Sequence, residues 1–192
     1  MTRRRVMDAS YALLLETGYA GTTMTAIAER ANVAVPTVYK AFGTKVGLIK
    51  QLYDRVLVGD DLDSPVRDRV EAREILAEPD PRRAIELYAA FATTVSARLA
   101  PLLTVLLGAA STSPELHEFI TAIEAERRTG NERFAQHLQA IGPLAADLER
   151  AVDLLWLFTA PDTYHRLVSQ RGWTGEAFGA WLATTLVAQL LG

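Results

Sequence analysis

The stretch VAVPTVYKAFGTK, Val33 to Lys45, decides how the N-terminal third of the chain is read. Pro36 suits the first turn of a helix, where its missing N–H has no partner to lose. Val38 and Phe42 lie four residues apart and share one helical face. Gly43 is a stop, and Thr44 can cap a following helix. The stretch therefore predicts a helix of only two turns. Isolated helices shorter than about 12–15 residues are marginal in water. Neighbouring elements must hold this one through Val38 and Phe42, and its outward face is left for another use.

Working outward, residues 3–16 place Val6, Ala9, Ser10, Leu13 and Leu14 on one helical stripe, and Gly18 reads as the stop. Thr22 or Thr23 caps a second helix that carries Met24, Ile27, Ala28 and Ala31 on one face. Asn32 ends it, because Asn tolerates the left-handed conformation. The short helix comes third. A fourth begins at Thr44 and carries Leu48, Ile49, Leu52, Tyr53 and Val56. The second and third helices, joined by a tight turn at Asn32-Val33, form the helix-turn-helix arrangement. The first and fourth bury Val38 and Phe42. Val35, Pro36, Thr37, Tyr39 and Lys40 are then free to enter a DNA major groove, which is wide enough for an α-helix. Neither Ala34 nor Val35 has a capping side chain, which costs roughly 1 kcal/mol relative to Ser or Asp. The open N–H groups can instead point at phosphate.

An ordinary four-helix bundle would share the helix pair and the turn. Charge separates the two readings. The net charge of the 192 residues is −3, but it is unevenly spread. Residues 1–58 hold eight Lys and Arg against four Asp and Glu, and all three lysines, Lys40, Lys45 and Lys50, lie there. The remainder is acidic. A basic head on an acidic chain, with an Arg3-Arg4-Arg5 arm, points to a polyanionic partner. The absence of cysteine excludes a disulfide framework and cysteine-ligated metal, and fits a reducing compartment. No n-region, apolar run and cleavage site opens the chain, and its apolar stretches read as far short of a membrane span. The expected location is cytoplasmic, with no membrane partner.

The segment from Val58 to Pro81 is charged and carries Pro65, Pro79 and Pro81. It reads as a helix end followed by a mobile connection, and it places a domain boundary between 1–58 and 59–192. Beyond it the periodicity is helical throughout. Helices are expected over 81–99, 101–109 and 114–139, over 144–170 as one long helix disturbed by Pro161, and over 173–191. No β-alternation and no internal repeat occurs. The fold class is all-α with about nine or ten helices: an N-terminal helix-turn-helix domain followed by a larger helical domain.

Residues 6–57 resemble the DNA-binding domain of TetR-family transcriptional regulators. The residues that carry the resemblance are Gly18-Tyr19, Gly21-Thr22-Thr23-Met24, Ile27-Ala28, Val33, Pro36-Thr37-Val38-Tyr39, Phe42, Lys45 and Leu48. The resemblance implies that Thr23, Tyr39 and Lys45 bind phosphate, and that Thr25, Val35, Thr37 and Lys40 face the groove. Many members have a His or an aromatic residue where this chain has Ala41.

The same resemblance implies that the second domain dimerises and senses a small molecule. For dimerisation, the last helix offers Phe178, Trp181, Leu182, Thr185, Leu186 and Gln189 beside small residues, and the preceding one offers Leu148, Val152 and Leu155. Two such helices per subunit would form a four-helix bundle across a two-fold axis; the alternative is that this face packs on its own domain. For sensing, Tyr88, Phe91, Trp156, Thr159, Tyr164 and His165 supply the mixture of apolar and polar groups usual in a ligand site. Each is equally compatible with plain core.

The expected function is a ligand-responsive DNA-binding regulator, a repressor released from operator DNA by a small, largely apolar molecule. The competing classes are an enzyme acting on a small molecule held in the second domain and a helical dimer module without regulatory DNA binding. No glycine-rich phosphate loop, G-x-S-x-G or H-E-x-x-H motif occurs, and the three histidines are scattered. No cofactor and no metal are expected.

Overall fold

The computed structural model describes residues 2–59 and 70–192, and among them every regular element is helical. The order is α1 (Thr2–Gly21), α2 (Met24–Arg30), α3 (Val35–Phe42), α4 (Lys45–Val58), α5 (Val70–Ala77), α6 (Pro81–Ala109), α7 (Pro114–Ile141), α8 (Leu148–Phe158), α9 (Pro161–Tyr164) and α10 (Gly175–Leu190). A 3-10 turn, Ala110–Thr112, follows α6, and a π-helical stretch, His165–Gln170, continues α9.

The caps fall where the side chains dictate. Thr23 accepts from the Ala26 N–H, Thr44 from Gly47, Asp147 from Arg150 and Thr174 from Ala177, each satisfying one of the orphan donors of a helix N-terminus. Asn32 adopts φ 51° between α2 and α3, and Gly43 adopts φ 73° after α3, the left-handed region that lets each helix stop abruptly. Gly18 interrupts α1 with φ 71°, and one further turn, ending at Gly21, follows it.

Four expectations for the chain beyond the head are corrected. Pro101 does not separate two helices: α6 runs through it for 29 residues. Its ring removes one backbone N–H, yet Leu99, Ala100, Leu102 and Leu103 on either side are all buried and hold the helix on course. That continuity also overturns the reading that every apolar stretch is far short of a span. Pro81–Thr112 is long and apolar enough to cross a membrane by length and composition alone. Its apolar residues Ala84, Ile85, Ala89, Leu102 and Leu106 are nonetheless buried inside the protein. The expected connection after the head contains a real helix, α5, anchored by the buried Ile75; residues 60–69, including Pro65 and the residues next to the expected boundary at 58–59, lie outside the described residues. Residues 144–170 are not one helix. α8 stops at Phe158, and Pro161 starts α9 as its first residue.

The chain forms two compact units. The first holds α1 to α4 together with Pro101–Ala122. Its core comprises Val6, Leu13, Leu14, Ile27, Val38, Phe42, Leu48, Ile49 and Leu52 from the head and Leu102, Leu106, Leu116 and Phe119 from the later segment. The rings of Tyr53 and Phe119 meet edge to face at 5.6 Å. The second unit holds α5, the first part of α6, the rest of α7, and α8 to α10. Ala84, Ile85, Phe134, Leu138, Leu155, Phe178, Leu182 and Leu186 form its core.

Candidate nucleic-acid interface

The two-turn helix α3 is held as its sequence requires. Val38 and Phe42 are 0% and 5% exposed. On the opposite side Pro36, Thr37, Tyr39 and Lys40 are exposed, Tyr39 at 51%, and Val35 is half-buried. Ala34, at the N-cap, makes no side-chain capping bond. Thr23 and Thr25, at the N-terminus of α2, are exposed as well. One surface of the first unit thus combines hydroxyls, a phenol, an ammonium and open helix N–H groups, the donor set that grips phosphate oxygens.

Several polar side chains tie the head together. Thr22, buried at 1%, donates its hydroxyl to the Gly18 carbonyl at 2.8 Å, and Ser10 donates to Val6 at 2.7 Å. Arg30 of α2 grips Glu16 of α1 with two guanidinium nitrogens, one at 2.7 Å. That hydrogen bond holds the Glu16 carboxyl below its ordinary range. Arg55 of α4 pairs with Asp8 of α1, and Arg3 donates to Gln51 while lying over the Phe42 ring at 5.2 Å.

Lys45 differs from its expected role. Its ammonium is turned back toward α1, donates to the Tyr19 carbonyl and sits 3.6 Å above the Tyr19 ring. Burial lowers its pKa. In this conformation Lys45 ties the start of α4 to the turn before Thr23 and does not present its charge outward. The sequence reading missed Tyr19 as its partner, because the two residues are 26 positions apart and only the fold brings them together.

The expected ligand residues lie in the second unit and are only partly gathered. Tyr88, Phe91 and Tyr164 pack against its core. Tyr88 stacks on Phe134 with centroids 3.9 Å apart and lies 6.4 Å from Phe91. Tyr164 meets Phe178 at 5.0 Å. Thr159 is buried and donates to the Leu155 carbonyl. His165 is half-buried in the π-helical stretch. Trp156 points outward beneath Arg127, whose guanidinium lies 4.9 Å from its ring centroid.

Of the expected dimer residues, Val152, Leu155, Phe178, Leu182 and Leu186 are buried inside a single chain, at 4% exposure or less. Surface already removed from water by one chain cannot meet a second, so these five are core. Trp181 is half-buried in its own aromatic cluster with Phe158, Trp173 and Phe178. Leu148 and Thr185 are half-buried and Gln189 is exposed. Among the described residues no group of three or more His, Asp or Glu is arranged to hold a metal.

These elements define a helix-turn-helix head of the kind that docks a short recognition helix against duplex DNA. Residues 6–52 match the model of the bacterial regulatory proteins of the tetR family. Over 51 residues it is 43% identical to the HTH-type transcriptional regulator YvkB of Bacillus subtilis, a match covering 27% of either chain. It is 49% identical over 47 residues to the HTH-type transcriptional repressor KstR of Rhodococcus jostii, covering 24% of this chain and 22% of that one. The chain thus matches about a quarter of the length of these curated relatives. The whole fold extends the likeness. The structure of the transcriptional regulator FadR from Bacillus subtilis, solved in complex with stearoyl-CoA, superposes with a TM-score of 0.73 over 97% of this chain and 98% of that one, at 16% identity.

Proposed function

We propose that the protein is a transcriptional repressor that binds operator DNA as a homodimer and releases it when the second unit takes up a small, largely apolar molecule. The observation that carries this reading is α3, whose buried side is consumed by Val38 and Phe42 and whose exposed side offers Thr37, Tyr39 and Lys40 beside an N-terminus with no side-chain cap. The repressor named among the relatives and the acyl-CoA held by a protein of the same fold support it. Thr23 and Tyr39 hold phosphates. Thr25, Thr37 and Lys40 read the groove, and Val35 meets a thymine methyl. The protein acts in the cytoplasm by binding, with no turnover of its effector.

Phosphate contacts supply affinity and make it salt-dependent, and a dimer requires half-sites about 34–36 Å apart. The dimer contact lies on the accessible side of the last two long helices. Asp153, Trp156 and Leu157 of α8 and Ala177, Ala180, Thr184 and Ala188 of α10 are exposed there, and small residues let a partner helix approach closely. The test is selection of genomic fragments by the purified protein. A two-fold-symmetric duplex motif that Tyr39→Phe weakens at every sequence, and whose base preference Lys40→Ala alters, establishes the reading. Enrichment of no motif defeats it.

A further inference from the structure

We propose that Asn131 is the polar anchor of the effector site, and that the effector is an uncharged, largely apolar molecule whose carbonyl oxygen accepts a hydrogen bond from the Asn131 amide. This rests on the reading that the second unit binds an effector, and it specifies the chemistry that site selects.

α7 contributes a regular stripe to the core of the second unit: Phe134, Ala135 and Leu138 are all buried. Asn131 occupies the same stripe one turn earlier and is 1% exposed. Periodicity would place a leucine there. A side-chain amide brings two donors and an acceptor. Its oxygen accepts from the Tyr88 hydroxyl at 2.5 Å. Its nitrogen is buried and meets no acceptor among the described residues. A buried donor without a partner destabilises a fold, whereas an apolar residue of similar size would be neutral or better. Such a group is a candidate for recognising a ligand, because the missing acceptor can come from outside the chain.

The surroundings specify what kind of acceptor. Tyr88 lies flat on Phe134, with ring planes 14° apart, and Phe91 is nearby, so the Tyr88 hydroxyl that Asn131 binds belongs to an aromatic stack. Burial pushes the Tyr88 hydroxyl pKa up, which marks an environment hostile to charge. Arg127, whose charge acts on the Tyr88 hydroxyl, is already engaged: it donates to Glu124 at 2.7 Å and to the Trp156 carbonyl at 2.6 Å. A carboxylate or phosphate would therefore find Arg127 committed and would enter a buried site at a large desolvation cost. A ketone, ester or amide oxygen on an apolar body needs one donor, and Asn131 supplies it.

The probe is Prodan, a neutral aromatic ketone whose emission moves to the red when its carbonyl accepts a hydrogen bond. Anilinonaphthalene sulfonate is its anionic control. Full-length protein should bind Prodan saturably and should not release it to the sulfonate. Asn131→Leu should bind about tenfold more weakly, the factor expected for one lost neutral hydrogen bond, and the red component should vanish. Leu also fills space, so Asn131→Ala is the second variant: a merely apolar cavity would bind Prodan more tightly after that change, and the donor reading requires weaker binding. Circular dichroism melts verify that both variants are folded. Absence of saturable Prodan binding to the wild type, or undiminished affinity in Asn131→Ala, overturns the proposal. Repeating the titration with the genomically selected duplex separates the two readings. Asn131-dependent Prodan binding that leaves DNA affinity unchanged keeps the anchor and removes its regulatory role.

Discussion

The head and the second unit are built from the same kind of element and differ in how one buried polar residue is used. In the head, Ser10 and Thr22 bond back to carbonyls four residues earlier, and Thr23, Arg30, Thr44 and Lys45 are each committed to a cap or to a tie between helices. In the second unit, Asn131 is deeply buried and its amide nitrogen meets no acceptor among the described residues. The head resembles its relatives at 43–49% identity over its length, whereas the whole chain shares a fold with FadR at 16%. A surface that must fit the fixed spacing of duplex phosphates constrains many side chains at once. A helical core constrains volume and pattern and tolerates many sequences.

The largest effects should come from charges placed in the two cores. Val38→Asp puts an unpaired carboxylate where the wild type has no exposure, a cost of roughly 4 kcal/mol or more. Hydrogen exchange should show α1 to α4 losing protection while α8 and α10 keep theirs. Leu182→Arg should unfold the second unit outright, because Leu182 is fully buried. Ala180→Arg, on the exposed side of α10, should leave it folded and yield monomers in sedimentation. A folded monomer from Leu182→Arg would return that residue to the interface.

Lys45→Met should cost about 1–2 kcal/mol by breaking the tie to Tyr19, read as a lower melting temperature. The logarithmic salt slope of duplex binding should stay unchanged, whereas Lys40→Ala should reduce it by about one. A reduced slope for Lys45→Met would show that the ammonium leaves Tyr19 for phosphate. The smallest effect is Thr23→Ala, which should destabilise α2 by about 1 kcal/mol through the lost cap and weaken binding evenly across DNA sequences.

Most of the head was legible because its signals are local. Pro36, Asn32, Gly43 and Thr44 act within a few residues of themselves, and each marks the boundary it should. The failures arose where tertiary contacts override local rules. Pro101 is a helix breaker by composition, and buried leucines on both sides keep α6 continuous. α5 sits in a charged, proline-rich stretch and depends on Ile75 reaching a core the sequence does not display. The apolar residues of α8 and α10 looked equally suited to a partner or to their own domain, and only three-dimensional burial separates Leu182 from Ala180. Asn131 carried a signal, a polar residue on an apolar stripe, but Gly130 beside it obscures the period.

The union of the head with Pro101–Ala122 in one compact unit bears on how the protein is made. Tyr53 packs against Phe119, a residue synthesised long after α4 has left the ribosome. At roughly 5–20 residues per second, the head waits several seconds before that surface can be covered. During that interval the nascent chain exposes the side of α4 that Phe119 will cover, which is the window in which a chaperone would find it. A fragment ending at Gly59 would be held in that condition permanently, so the recognition helix is best studied on the intact chain.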